Sequence, residues 1–225
     1  MLAVDAVFKL SQGGRKRLIG RWNQLLSSLG IDPDEHFSVL EDLLTRHSEP
    51  QRFYHSLVHL ERLFELLPAE PHLELAVWFH DAVYDPTRTD NEAQSALLAE
   101  QSLHSLGLDP QLIQTVVNLI LATRNHQTAD PHTALFLDAD LAILGADPET
   151  YQGYAQAIRQ EYAWVPTALF LEQRAAMLHK FLSRERIYQT EAFARLEQPA
   201  RENLQRELQE ITSAPTPSSK NPAPS

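Results

Sequence analysis

Cysteine is absent from the 225 residues. That excludes disulfides, thiolate metal sites and a cysteine nucleophile, and it suits a reducing compartment. Glycine is scarce, at seven residues, and runs of β-branched residues with period-2 alternation are hard to find. No stretch approaches the roughly 18 uncharged apolar residues that a membrane span needs. The N-terminal MLAVDAVFKLSQGGRKR has Asp5 inside its apolar patch and its basic residues after it, the reverse of a secretory signal. A cytoplasmic protein with no membrane partner is expected. Basic charge is also in deficit: 19 Lys and Arg against 30 Asp and Glu leave a net −11. Such a surface repels phosphodiester backbones, so a nucleic-acid polymer is not the expected partner. A small anion remains compatible, because a bound cation reverses the field locally.

What is present is helical periodicity. Leu112, Ile113, Val116, Val117, Ile120 and Leu121 form one apolar stripe, and Leu57, Leu60, Leu63, Phe64 and Leu67 form another. Asp-Pro pairs at 32/33, 109/110, 130/131 and 147/148 each precede a helical pattern, Asp serving as N-cap and Pro fitting the first turn. Thr89-Asp90-Asn91-Glu92 has capping-box spacing. The map predicts helices near 14–29, 33–46, 55–67, 72–84, 90–106, 110–124, 131–144, 148–163, 166–183 and 191–211. With no internal repeat evident, this is an all-α, single multi-helix domain over 1–212. SAPTPSSKNPAPS, 213–225, is a Pro/Ser-rich tail expected to be disordered.

Four places break the apolar pattern: His55/His59 in YHSLVHL, His80-Asp81 in AVWFHDAVYD, His126 in ATRNH, and Asp138/Asp140 in LFLDADLAILG. Unpaired charges are costly in a core, so imidazoles and carboxylates converging there imply a partner. A divalent cation satisfies both residue types, at about 2.0–2.2 Å. His55 and His59, four apart, are expected on one helical face. Their spacing is that of a zinc-protease HExxH pair, but Ser56 stands where the general-base Glu would be, so that reading fails. His80 and Asp81 would point about 100° apart on a helix and would need other helices to close a cage. Asp138 and Asp140 would face nearly opposite sides, one binding metal and the other supporting or capping. For each residue alone, a hydrogen-bonded structural role is the alternative.

In this order, YHSLVHL, WFHDAVYDPTRTDNEAQSA, ATRNH and LDADLAILG resemble the HD superfamily of metal-dependent phosphohydrolases. More narrowly they resemble a bacterial group of HD phosphohydrolases whose function is itself only predicted. The similarity spans about residues 15–210. The resemblance implies an all-helical HD-type bundle with His55, His80, Asp81 and Asp140 as metal ligands, Asp138 held in reserve. It leaves His59 and His126, with Asp138, to a second metal, to phosphate, or to structural roles. The metal would be Mn²⁺, Mg²⁺, Fe²⁺, Co²⁺, Ni²⁺ or Zn²⁺. The implied substrate is a small phosphate ester or anhydride, a nucleotide by family analogy. HD proteins often pair, so a homodimer is compatible.

On this reading Asp81 orients the attacking water and Glu92, one loop beyond, serves as general acid/base. The alternative for Glu92 is the capping box. Arg52, Arg88 and Arg124 are candidates to clamp phosphate, solvated surface arginine being the alternative for each. Two other functional classes remain open. One is a non-catalytic metal- or nucleotide-binding regulatory module. The other is a diiron oxygenase, as a few HD proteins are.

Overall fold

The structure is a computed structural model and describes residue 10 and residues 13–213. Among these residues ten α-helices follow one another: α1 (Gly14–Ser28), α2 (Phe37–Arg46), α3 (Leu57–Leu66), α4 (Pro71–Phe79), α5 (Asn91–Ser105), α6 (Pro110–Ala122), α7 (Pro131–Asp140), α8 (Pro148–Glu161), α9 (Thr167–Leu182) and α10 (Glu197–Ser213). Short 3₁₀ turns at Leu141–Gly145 and Ala194–Leu196 join the later ones, and no strand occurs among the described residues. The tail expected from 213 lies, from 214 onward, outside the described residues.

Three of the four Asp-Pro pairs start helices as their chemistry dictates. Asp109 accepts from the Gln111 and Leu112 amides, Asp130 from Thr133, and Asp147 from Thr150. The fourth does not: Asp32 Oδ1 takes the Asp34 amide in a local turn at 3.0 Å, and α2 begins only at Phe37. The Thr89–Glu92 capping box is also not formed. Asp90 precedes α5 instead, and its carboxylate is held by Arg88 and Gln94.

At the centre lies α4, buried from Leu73 through Phe79. A helix apolar on nearly every side must be enclosed, and α3, α5 and α6 enclose it, with α5 lying along α6 and the buried Glu74 of α4 paired to Arg21 of α1. Trp22 of α1 meets Trp78 of α4 edge to face, centroids 5.4 Å apart. Helix α10 closes the other side against α9 and the 141–145 turn. Gly145 lets that approach happen. A Cβ there would sit 2.6 Å from the Leu196 Cβ and 2.8 Å from the Leu196 carbonyl oxygen.

The early end of α4 matters most. The expected 72–84 helix stops at Phe79, with His80 as C-cap. Asp81 therefore lies just past the helix and is free of the 100° separation expected of helical neighbours.

Candidate metal centre

His59, His80 and Asp140, from three different segments, bring one donor atom each within 4.8 Å of the others. His59 Nε2 is 3.1 Å from His80 Nε2 and 3.1 Å from Asp140 Oδ1. Asp81 joins them, its Oδ2 3.0 Å from His80 Nε2 and 3.8 Å from His59 Nε2. Ligands about 2.1 Å from one ion stand about 3.0 Å apart in octahedral and about 3.4 Å in tetrahedral geometry. The spacing of the His59, His80 and Asp140 donors fits a single divalent cation, and Asp81 stands beside them against His80. His80 Nδ1 donates to the Val77 carbonyl at 3.0 Å, which fixes the tautomer that leaves Nε2 free for a ligand bond.

The electrostatics agree. Burial works against the His80 imidazolium, but Asp81 beside it raises its pKa to about 9. Burial also opposes ionisation of Asp81 and Asp140, yet His80 and His55 hold Asp81 far below the usual carboxylate range, as His126 and His59 hold Asp140. His59 moves the other way, lowered chiefly by burial. The cluster concentrates charge that a proton or a cation must balance.

His59, not His55, makes the close contacts to His80 and Asp140. The pair was expected to share a helical face, but α3 begins at Leu57 with Ser56 extended before it, so His55 lies outside the helix and His59 in its first turn. His55 Nδ1 is 2.7 Å from Glu161 Oε2, and its ring stacks on Tyr84 at 4.1 Å. Burial lowers the His55 pKa, but Glu161 and Asp81 more than compensate and raise it overall.

Glu161, at the end of α8, went unnoticed in the sequence. Its Oε1 accepts the Phe53, Tyr54 and His55 amides at 2.8, 2.8 and 3.0 Å, and Tyr84 donates to Oε2 at 2.9 Å. Burial disfavours its charge, but His55 and these donors lower its pKa to about 2. One carboxylate thus shapes the loop entering α3.

Two expected site residues have other roles. Arg52 was a phosphate-clamp candidate; it is buried and donates to the backbone carbonyls of His55, Asp81 and Ala82. It positions the His80-Asp81 turn from behind. Asp138, the reserve ligand, is also buried and accepts from the Gln189 and Thr190 amides and the Thr190 hydroxyl. It latches the 187–190 segment and does not face the cluster.

A cavity of about 520 Å³ opens beside the cluster, with His55, Asp81, His126 and Asp140 in its lining. Tyr54, Tyr84, Tyr154, Tyr162 and Phe170 contribute aromatic surface. Arg88, Arg124, Lys180 and Arg184 bring positive charge, and Glu92 also lines it. Arg88 is exposed and paired with Asp90 at 2.7 Å. His126 reaches Asp140 Oδ2 at 2.9 Å. It does so from a left-handed backbone, φ 50°, the only such non-glycine among the described residues. Arg184 steadies that turn by donating to the His126 and Asn125 carbonyls. Strain retained beside a buried charge cluster is typical of functional positions.

No family model, curated protein or solved structure matches the chain. The group that could hold a metal ion is thus defined by geometry alone. Among the described residues no helix is long and apolar enough to cross a membrane.

Proposed function

We propose that the protein is a metal-dependent phosphohydrolase acting on a small phosphate ester or anhydride, a nucleotide by the motif resemblance. The observation that carries the proposal is the convergence of His59, His80, Asp81 and Asp140 at the wall of a cavity lined also by cationic side chains. A divalent cation bound there would acidify water and draw charge off a phosphoryl oxygen. Mixed imidazole and carboxylate donors suit Mn²⁺, Fe²⁺, Co²⁺, Ni²⁺ or Zn²⁺, and Mg²⁺ less well.

The chain's own groups do the rest. Asp81, just past the end of α4, orients the attacking water. Arg124 and Lys180 receive the anionic phosphoryl group, Arg88 and Arg184 add positive potential, and the tyrosines offer faces on which a flat base can stack. Glu92 moves the proton. A volume near 520 Å³ falls in the range of small-molecule sites and not of polymer grooves.

The test is phosphate release from a nucleotide panel with Mn²⁺ present. Asp81→Ala should lose at least about a hundredfold in rate while retaining its helical circular dichroism. Retained activity in that variant would overturn the mechanism.

One observation favours a second reading. Asp140 turns Oδ1 towards His59 and Oδ2 towards His126, so His126 and Asp140 would be the residues to hold a second ion if one were bound. A count of two irons per chain with O₂ uptake would favour a diiron oxygenase instead.

A further inference from the structure

Helices α4 and α7 open alike. Each places Pro at its first position and His at its second, Pro71-His72 and Pro131-His132. Both run in the same direction. Their starts meet through His72 and His132, ring centroids 6.4 Å apart, and their ends through His80 with Phe136 and Asp140. Glu70 stands at the N-cap position of α4 but makes no capping bond with its side chain. Its Oε2 lies 3.6 Å from His72 Nε2 instead.

Glu70, His72 and His132 bring one donor each within 4.8 Å of one another. From this we infer that the paired starts of α4 and α7 form a second divalent-cation site, separate from the cavity. Two imidazoles and one carboxylate suit a borderline ion such as Zn²⁺, with a remaining position for water. Calcium and magnesium, which prefer oxygen, suit it poorly.

The local charge decides whether a cation is tolerated. Helix N-termini carry partial positive charge, which opposes one. Against that, neither 65–80 nor 125–140 contains a Lys or Arg, and Glu70 and Asp130 add negative charge at the same end. Each group offers three donors, but the outer one is more exposed, so it should bind more weakly than the His59/His80/Asp140 group. Its position gives it a role. From His72 to His80 is eight residues, about 12 Å at 1.5 Å per residue. An ion there clasps the far ends of the two helices that deliver His80, Asp81 and Asp140, and so fixes their alignment.

The experiment uses the full chain, stripped with chelator, equilibrated with excess Zn²⁺, desalted and counted by atomic emission. Titration with Co²⁺, followed by its visible absorption, gives the affinities. His72→Ala/His132→Ala should bind one equivalent fewer than the wild type, with unchanged circular dichroism. Glu70→Gln should weaken the lower-affinity Co²⁺ step about tenfold or more while leaving the tighter step in place. An unchanged count in the double variant would overturn the inference, as would Co²⁺ curves unaffected by Glu70→Gln. Phosphate release with Mn²⁺ reports separately on the cavity, so failure of either idea is distinguishable from failure of the other.

Discussion

Replacing Glu161 by Ala should be among the most damaging single changes outside the metal cluster. The side chain is fully buried and accepts three consecutive backbone amides, Phe53 to His55, the Tyr84 hydroxyl and the His55 ring. Alanine leaves the Phe53, Tyr54 and His55 amides, the Tyr84 hydroxyl and the His55 ring without this acceptor. Removing one partner of a buried charged network costs about 3–5 kcal/mol. The acid side offers an independent figure. Lowering the pKa from 4.5 to about 2 corresponds to about 3 kcal/mol, at about 1.4 kcal/mol per pH unit. The sign follows from the direction. The folded pKa lies below the unfolded one, so this stabilisation is present above pH 4.5 and is lost as pH falls towards 2. Urea unfolding followed by tryptophan fluorescence should show the loss, because Trp22 and Trp78 lie in the core. For a chain of this size the melting temperature should fall by roughly 6–20 °C. Glu161→Gln keeps an oxygen for the amides and should cost about half as much, while removing this part of the acid dependence. A Glu161→Ala variant within about 1 kcal/mol of wild type would refute the reasoning, as would identical acid profiles for wild type and Glu161→Gln.

Asp138→Ala should cost about 2–4 kcal/mol in urea unfolding, because it strands the Gln189 and Thr190 amides. Its metal count should not change, and a lost equivalent would show that Asp138 is a ligand. Burial, with help from Arg52, lowers the His47 pKa to about 3, and the ring nitrogen Nε2 donates to the Trp78 carbonyl at 3.1 Å. The unfolded chain therefore takes up this proton first, and stability falls by about 1.4 kcal/mol per pH unit as pH drops below about 6.5. His47→Gln should flatten that part of the profile between pH 7.5 and 5, and equal slopes would count against it. Chelation of a metal-loaded sample should lower the melting temperature by roughly 5–10 °C if the ion was at about a hundred times its Kd. No shift would speak against a cation in the cluster.

The helices were largely legible in the sequence because their signals are local. Apolar spacing and Asp-Pro starts act within one or two turns, and Asp109, Asp130 and Asp147 cap as expected. Asp32 failed because its carboxylate closes a local turn with the Asp34 amide, and the chain becomes helical only from Phe37, beyond its reach. The residues of the cluster stood out because charge interrupts apolar runs. The choice between His55 and His59 was not legible, since it depends on whether α3 begins before or after Ser56, a difference of two residues. Arg52 looked like a phosphate clamp because no local pattern reveals that three carbonyls wait for it. Glu161, in IRQEYAW, reads as an ordinary exposed helix residue. Only the long-range fold brings its partners within reach.

That long reach has a consequence for how the protein is made. Synthesis runs from the N-terminus, and the amides of residues 53–55 emerge more than a hundred residues before Glu161, the group that will receive them. Until then α3 and α4 can already pack, and Arg52 can tie the stretch leading into α3 to the Asp81 and Ala82 carbonyls, but the three amides lack their acceptor. A ribosome-stalled chain ending before residue 161 should leave that stretch open to protease, and one extending well past it should not. The order of translation thus delays this anchorage until Glu161 is made, and completion of the cavity until its later lining residues, through Arg184, follow.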